Sequence, residues 1–449
     1  MISADQDGGN RSFPARPVAP VRAVIPARHP IHATVAIPGS KSLTNRALLT
    51  AALADGASCL TGALFSDDTH YMAAALQQAG IDVASDAGKH QFAVHGAAGQ
   101  PGPVQAPIFV GNSGVTMRFL TAFFCLGQGT YVLDGAPRMR ERPIQELLDA
   151  LKSLGATVES QFGNGCPPVV VQGGAFKGGR AAIPGHRSSQ FLSAVLLSAP
   201  YAAHPVEIEV IGALASRPYL DLTTDVMAAF GVPVENENYR RFRVAAGRYR
   251  GRSYAVEPDA SAASYFLAAA AITNGTSTIE GFSLRSRQGD IEFARLLEQM
   301  GCSLQDRPEG LTLTGASELS GIDVDMNACS DVSLTLAAIA PFCSTPTHIR
   351  NIAHVRVQET DRISAMVTEL RRAGVTVEER EDGLSVYPSQ PSPTTFDTYE
   401  DHRIAMSLAL IGLRIPGCAI RDPGCVSKTF PGYFELLESV VGGGMKDEG

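Results

Sequence analysis

Disulfide and zinc signatures are missing from this sequence. Its eight cysteines (Cys59, Cys125, Cys166, Cys302, Cys329, Cys343, Cys418 and Cys425) are scattered, with no CxxC pair and no Cys/His cluster. That excludes a disulfide scaffold and a structural zinc site, and reads instead as small buried residues of a reducing compartment. No apolar run approaches the roughly 20 residues that a membrane-spanning helix needs. Excess positive charge is lacking too. The chain has 37 Lys and Arg against 45 Asp and Glu, a net charge of −8, so nucleic acid is not expected as a main partner and any basic site must be local. Residues 1–30 are rich in Pro, Arg, Ala and Gly but lack the apolar core of a signal peptide. They are expected to form a disordered arm, with order starting near residue 31, and the cytoplasm is the expected location.

What the chain has is a sixfold internal repeat, which restarts near Lys41, Ser113, Ser188, Ser261, Asp331 and Asp401, roughly every 70 to 75 residues. Each copy opens with a small polar cluster, enters an Ala/Leu-rich segment and then makes a Gly-punctuated β-like stretch; KSLTNRALLTAALADGASCLTGA and DASAASYFLAAAAITNGTSTIEGF are two examples. A second helical segment ends at Gly before a short strand in most copies, as in LLDALKSLGATV and ELRRAGVTV. At 449 residues the chain is too long for one compact core. Three modules per lobe give two similar lobes, with a boundary near Glu257: 40–257 in one, 31–39 with 258–449 in the other.

The helix starts suggest the ligand. Ser, Thr, Asn and Asp satisfy the orphan N–H groups of a helix N-terminus, and those same groups, at the positive end of the dipole, hold phosphate or carboxylate. The inner segments (FLAAAAI, TLAAIAPF, AVLLSAP) are apolar nearly all round and therefore expected to be buried. Basic residues cluster beside the starts: Lys41 and Arg46, Arg118, Arg187, Arg403. Six capped helices stacked in a solenoid would explain the caps alone, but not the cations.

The segments PGSKSLTNRALLTAALADG, GNSGVTMR, RMRERPI, SSQF, SRPYLD, DASAASYFLAAAAI, ETDRISAM, DHRIAMSLAL and SKTFPGYF, in this order over residues 33 to 440, resemble the 5-enolpyruvylshikimate-3-phosphate synthase family. The resemblance implies a two-lobed inside-out α/β barrel of six modules, three per lobe. It also implies transfer of the carboxyvinyl group of phosphoenolpyruvate to the 5-hydroxyl of shikimate 3-phosphate, with release of phosphate, by a monomer. No cofactor and no metal are implied, since cationic side chains and helix ends neutralise the phosphates.

Carried over residue by residue, the resemblance places Lys41, Ser42 and Arg46 on shikimate 3-phosphate, with Arg46 on its carboxylate. Ser188, Ser189 and Ser216 would hold its phosphate, Tyr219 would stack nearby, and Gln190 would sit between both substrates. His354 and Gln358 belong to the same acceptor side. Asn112, Gly114, Arg142, Arg362, Arg403 and Lys428 would bind phosphoenolpyruvate, with Lys41 shared. Asp331 is the implied base at the 5-hydroxyl and Glu359 the implied acid/base at the methylene carbon, supported by Lys41, Lys428 and His402. A carboxylate among cations is more often a plain ion-pair partner; the resemblance is what raises these two above that.

Four positions depart from the commonest family pattern. Gln358 stands where many members have Lys, and His354 where Asn is frequent, so a charge-assisted bond to the acceptor is replaced by a neutral one. Arg187 and Arg217, beside the phosphate-holding serines, are placed to offset it. Val115 and Phe119 replace Thr and Pro in the GNSG loop, which is expected to narrow the phosphoenolpyruvate pocket and weaken inhibition by glyphosate. Two rivals remain at this stage. UDP-N-acetylglucosamine enolpyruvyl transferase normally has a Cys or Asp nucleophile in a loop that here reads GAPRMRERPI, with no cysteine between Cys125 and Cys166. A paralogue with another acceptor alcohol, or a non-catalytic anion binder, is favoured only by Gln358 and His354.

Overall fold

The computed structural model describes residues 19–442. Its apolar core falls into two clusters, one drawn from residues 43–256 and one from 24–35 together with 260–440. Around each lie inner helices whose sequences leave no polar face to expose. In the first lobe these are α1 (Lys41–Leu53), α3 (Gly114–Phe123) and α5 (Ser189–Ser198). The second has α7 (Ala260–Thr273), α9 (Ser333–Ile339) and α11 (His402–Arg414). Every residue of α3 is buried, as are 13 of the 14 in α7. Each fully buried Leu, Ile or Phe contributes about 1.5–3 kcal/mol, so these helices are held by tertiary packing.

The second helix of each module is amphipathic and lies outside: α2 (Asp67–Gln78), α4 (Gln145–Ser153), α6 (Pro218–Ala229), α8 (Glu292–Gln299), α10 (Arg362–Arg372) and, last, α12 (Tyr433–Gly442). Gly80, Gly155, Gly231, Gly301 and Gly374 follow the first five at φ of +79° to +113°, the left-handed turn that ends a helix and that glycine adopts without strain.

Six small mixed sheets complete the modules. In the first, Ser253–Ala255, Asp55–Thr61, Gln91–Ala97 and Asp82–Asp86 lie side by side in that order; in the fourth, His32–Val35, Thr276–Glu280, Gly310–Thr314 and Ser303–Arg307 do so. The outer strand in each of these lists pairs in parallel and the rest antiparallel. Strands alternate buried and exposed residues, so each sheet has one wet face while the inner helices have none, in keeping with helices inside and sheets outside.

Two strands are borrowed across the lobes' connection. Ser253–Ala255 returns to the first module, and His32–Val35 leaves the N-terminus to join the fourth. The two crossings run side by side, bridged at Gly39 and Pro258. A Cβ on Gly39 would lie 1.9 Å from the Gly62 carbonyl oxygen, so only glycine fits there. Just beyond it the Lys41 N–H donates to Asp259 Oδ2 at 2.9 Å; the start of the first inner helix is thereby tied to the cap of the fourth.

The expected arm differs from what is found. Val21–Ala23 form a strand paired antiparallel with Ala419–Arg421, so order begins well before residue 31; residues 1–18 of that arm lie outside the described residues. The partner is 398 residues away in sequence, as Val21 and Ala23 pair with Arg421 and Ala419, and no local pattern announces such a strand. No helix among the described residues is long and apolar enough to cross a membrane.

Candidate active site

Between the two cores lies a cavity of about 900 Å³. Its wall is made by the helix starts that the repeat predicts. Ser40, Ser113 and Ser188 cap α1, α3 and α5 by accepting from Leu43, Thr116 and Gln190. Asp259 and Asp401 cap α7 and α11. The fourth cap is thus Asp259 and not Ser261, and Asp331 lies in a 3-10 turn (Asn327–Val332) that leads into α9.

The first lobe contributes cations and helix starts. Arg46 is buried in α1 with Nε on Thr223 at 2.8 Å and Nη1 and Nη2 on the carbonyls of Ser42 and Tyr219 at 2.9 and 3.0 Å. It has no carboxylate partner among the described residues, and burial brings its guanidinium down to about 10. Arg118, one turn into α3, is also buried, and its Nε and Nη1 have no hydrogen-bond partner. Burial and then the neighbouring Arg142 push it well below the ordinary arginine value. Arg142 donates to Asn112 O and Oδ1 at 3.0 and 3.2 Å. Ser188, Ser189 and Gln190 open α5 beside Arg187, which pairs with Glu146 at 3.0 Å. Ser216 sits at φ +54°, a strained setting for a residue with a side chain; its N–H donates to Asn327 Oδ1 at 3.1 Å and its Oγ lies 3.3 Å from His354 Nε2.

The second lobe supplies a paired network. Arg362 Nε and Nη1 reach Asp401 and Asp331 at 2.7 and 3.2 Å, and Nη2 reaches Glu359 at 3.0 Å; Nη1 also donates to Gln358 Oε1. Arg403 Nη2 donates to Asp331 Oδ2 at 2.6 Å, the same oxygen that accepts from the Tyr219 hydroxyl at 2.9 Å. Burial alone would raise Asp331, but Arg403, Arg362 and Lys41 outweigh it and bring it down to about 2. Glu359 is likewise raised by burial and overruled by Arg362, Arg142 and Lys428, which hold it well below the usual carboxylate range. Both carboxylates are therefore ionised at neutral pH. Burial lowers Lys41, with Asp68 opposing and Arg403 and Lys428 reinforcing the shift.

The sequence-predicted residues Lys41, Ser42, Arg46, Arg142, Ser188, Ser189, Gln190, Ser216, Tyr219, Asp331, His354, Gln358, Glu359, Arg362 and Arg403 all line this cavity. Four others do not. Lys428 is buried behind it, with Nζ on Asp68 Oδ1 at 2.7 Å and on Asn112 O at 2.9 Å, and 3.5 Å from Glu359. Asn112 serves Arg142 and Lys428, and Gly114 lies beneath the guanidinium groups of Arg118 and Arg142. His402 requires a correction. It is fully buried at the first position of α11, neither ring nitrogen has a partner, and the cap is Asp401. Burial, Lys41 and Arg403 hold it neutral, so it is not the imidazolium that would act as an acid at neutral pH. Glu359 is also corrected in one respect: three cations keep it ionised, which suits a base and not an acid.

Sequence reasoning noted Arg118 as a cation beside a helix start but gave it no part in the site, and it missed Asp68 and Asp290. An arginine inside the otherwise apolar GVTMRFLTAF was the available signal, since an unpaired charge is rarely buried without a use. Asp68 reads in sequence as an ordinary acid at a helix start, and only the fold brings Lys41 (3.7 Å) and Lys428 to it. No cluster of three or more His, Cys, Asp and Glu suited to a metal ion occurs among the described residues.

Residues 25–437 match the family model described as EPSP synthase (3-phosphoshikimate 1-carboxyvinyltransferase). A curated 3-phosphoshikimate 1-carboxyvinyltransferase of Nostoc punctiforme is 50% identical over 412 residues, 91% of this chain and 97% of the relative. The chloroplastic 3-phosphoshikimate 1-carboxyvinyltransferase of Petunia hybrida is 44% identical over 428 residues, 91% of this chain and 83% of the relative. Among solved structures, an EPSP synthase from Acinetobacter baumannii superposes with a TM-score of 0.79 at 25% identity, covering 94% of this chain and 98% of that one.

Proposed function

The chain belongs to the EPSP synthase family, and we propose that it does that family's work through the cavity between its two lobes. It is a transferase of aromatic amino acid biosynthesis that moves the carboxyvinyl group of phosphoenolpyruvate to the 5-hydroxyl of shikimate 3-phosphate and releases phosphate. The observation that carries the assignment of this site is charge: seven cations (Lys41, Arg46, Arg118, Arg142, Arg187, Arg362 and Arg403) and two carboxylates (Asp331 and Glu359) share one wall. Two multiply charged anions fit such a wall, and a neutral acceptor does not.

In this proposal the lobes divide at 39/40 and 257/258. The start of α5 with Ser188, Ser189 and Ser216 takes the acceptor's phosphate, and Arg46, whose cation lacks a counter-ion, takes its carboxylate. Arg142, Arg362, Arg403 and Lys428, with the Gly114 N–H, take phosphoenolpyruvate. Asp331 removes the 5-hydroxyl proton as oxygen attacks C2 of phosphoenolpyruvate. Lys41, lowered by burial and central to both substrates, gives a proton to the methylene carbon. Glu359, already ionised, takes a proton back from the resulting methyl group as phosphate leaves. The chain acts as a cytoplasmic monomer, both substrates being enclosed by one pair of lobes.

Phosphate release from phosphoenolpyruvate tests this, with shikimate 3-phosphate in one assay and UDP-N-acetylglucosamine in another. Release that depends on shikimate 3-phosphate and is abolished by Asp331→Ala and by Lys41→Met is expected. Release only with another acceptor alcohol would instead assign the cavity to a different acceptor, with Gln358 and His354 as the residues that changed it.

A further inference from the structure

Behind the main cavity lies a carboxylate that the chemistry above does not use. Asp290, in the turn Gly289–Ile291, is 4% exposed. Its Oδ2 accepts from Ser261 Oγ and lies 3.5 Å from the Tyr219 hydroxyl, while its Oδ1 is buried with no hydrogen-bond partner. The same phenol donates to Asp331 Oδ2 at 2.9 Å. Arg403 Nη2 joins the group by donating to Asp331 Oδ2 at 2.6 Å and to Ser261 Oγ at 3.3 Å. Tyr219 therefore stands between two carboxylates, Asp290 buried and Asp331 partly exposed. Asp331 lines the main cavity, and Asp290 lines a second one of about 270 Å³ shared with Lys41, Ser261, Gln288 and Arg403.

A carboxylate kept only for architecture would be charged and fully bonded. Asp290 has one open oxygen and, among the described residues, no ion-pair partner. The charged and titratable groups facing it are Asp331, Asp259, Arg403 and Tyr219. Burial raises it first and Asp331 next, against Arg403 and Ser261, to about 7. Its neighbour Asp331 stands at about 2. Alone, Asp331 is too weak a base to keep the proton of an attacking alcohol, and a base that titrates near the working pH does this better.

We propose that Asp290 is a positioning residue that receives, through Tyr219, the proton leaving the acceptor hydroxyl. This rests on the reading of Asp331 as the base at that hydroxyl. As the acceptor oxygen bonds to C2 of phosphoenolpyruvate, its proton passes to Asp331. Asp331 hands a proton to the phenol oxygen of Tyr219 as the phenol gives its own to Asp290 Oδ2. Asp331 is then a carboxylate again, Tyr219 a phenol and Asp290 a neutral carboxyl. When phosphate leaves, the proton returns along the same line and departs with it, so the enzyme ends as it began.

The test is the pH profile of kcat and of both KM values for the unmodified chain, Asp290→Asn, Tyr219→Phe and the double variant. Asp290→Asn should lower kcat about 10- to 100-fold, with KM values within about twofold, and erase the limb in which kcat rises through pH 7. Tyr219→Phe should erase the same limb, and the double variant should be no slower than the slower single one. A limb that persists in both variants overturns the proposal, as does additive loss in the double variant. If Asp290→Asn does not fold, Tyr219→Phe alone decides, by the loss or persistence of the limb. An unmodified chain without phosphate release in the presence of shikimate 3-phosphate would defeat the underlying reading; an active one whose variants keep the limb defeats this inference only.

Discussion

Ser40, Ser113 and Ser188 cap the three inner helices of the first lobe, whereas Asp259 and Asp401 cap two of the three in the second. The same repeat thus ends in neutral caps on one side of the cavity and anionic caps on the other. The cations follow suit: Arg46 and Arg118 have no carboxylate partner among the described residues, while Arg362 alone meets Asp401, Asp331 and Glu359. A serine satisfies an N–H group without cancelling the helix dipole. The first lobe therefore waits for an anion to complete it. The second brings its counter-ions with it and holds its reactive side chains in place before any substrate arrives. In the proposed reaction both reactive carboxylates stand on the compensated side, while Lys41 of the first lobe and Arg362, Arg403 and Lys428 of the second cross that division.

That division is broken most directly by removing one cation from each side. Arg362→Met leaves two buried carboxylates, Asp401 and Glu359, and the partly exposed Asp331 without their shared partner and should cost about 3–5 kcal/mol of unfolding free energy, along with activity. Arg118→Met deletes a buried charge that has two unpartnered donors, so stability should hold or rise; its guanidinium lies against Gly114, at the subsite proposed for phosphoenolpyruvate, so KM for that substrate should increase about 10- to 100-fold through loss of a charge-assisted contact. Denaturant unfolding of the two variants, set beside their KM values, decides it. Equal destabilisation would mean that the first lobe's cations are structural after all.

Gly114→Ala probes the first lobe without altering its charge. An added Cβ would lie 2.4 Å from Arg118 Nη1 and 2.6 Å from Arg142 Nη2, both at the ends of flexible side chains. The guanidinium groups shift and the fold does not, so KM for phosphoenolpyruvate should rise about tenfold, roughly 1.4 kcal/mol. KM for shikimate 3-phosphate and the unfolding midpoint should stay unchanged. A matching rise in the acceptor's KM would show that the two subsites are not separable at this helix start.

Helix starts, the glycines that end the outer helices and the buried character of FLAAAAI and its counterparts were legible because each is set within one module, by residues a few positions apart. Lys41, Asp331, Glu359 and Arg403 were singled out by the family resemblance, and all four line the cavity. The protonation state of Glu359 was legible only in part: Arg362, three positions on, is the strongest cation acting on it, but its burial and the approach of Arg142 and Lys428, 217 and 69 positions away, are set by the fold. His402 looked like a cap because it opens α11, but the aspartate before it takes that place and the helix buries the ring. Asp290 gains meaning only from burial, which the polar turn RQGDIE does not reveal. The strand at Val21–Ala23 was hidden by the prolines around it.

Acid should separate the lobes further. Asp331, at about 2 against an ordinary 3.8, adds stability that is present above about pH 4 and is lost as pH falls towards 2; Glu359 acts in the same sense. His402 is lowered from 6.5, so the unfolded chain binds its proton first and stability declines as pH drops below 6.5. Asp290, raised to about 7, works the other way between about pH 4 and 7. The His402 share is isolated by subtraction. The stability of the unmodified chain relative to His402→Gln should fall as pH drops below 6.5, by at most about 1.4 kcal/mol per pH unit. A difference that does not vary with pH would mean that the ring is protonated inside the fold.

The smallest effect expected lies at the two departures in the GNSG loop, and they should not act alike. Val115 lines the main cavity at the first turn of α3. Phe119 is fully buried beneath it, with its ring 5.4 Å from the Arg46 guanidinium and no part in the cavity wall. Val115→Thr returns a hydroxyl to the phosphoenolpyruvate side, and one neutral hydrogen bond of about 0.5–1.5 kcal/mol should tighten glyphosate inhibition about two- to tenfold. Phe119→Leu removes a face on which Arg46 rests and should raise KM for shikimate 3-phosphate a few-fold, leaving glyphosate inhibition unchanged. Titration of both variants against each substrate reads the two effects apart. If the unmodified chain is already inhibited tightly and competitively with phosphoenolpyruvate, Val115 does not narrow that subsite. The uncompensated cations of the first lobe would then bind the inhibitor whatever side chain stands at this turn.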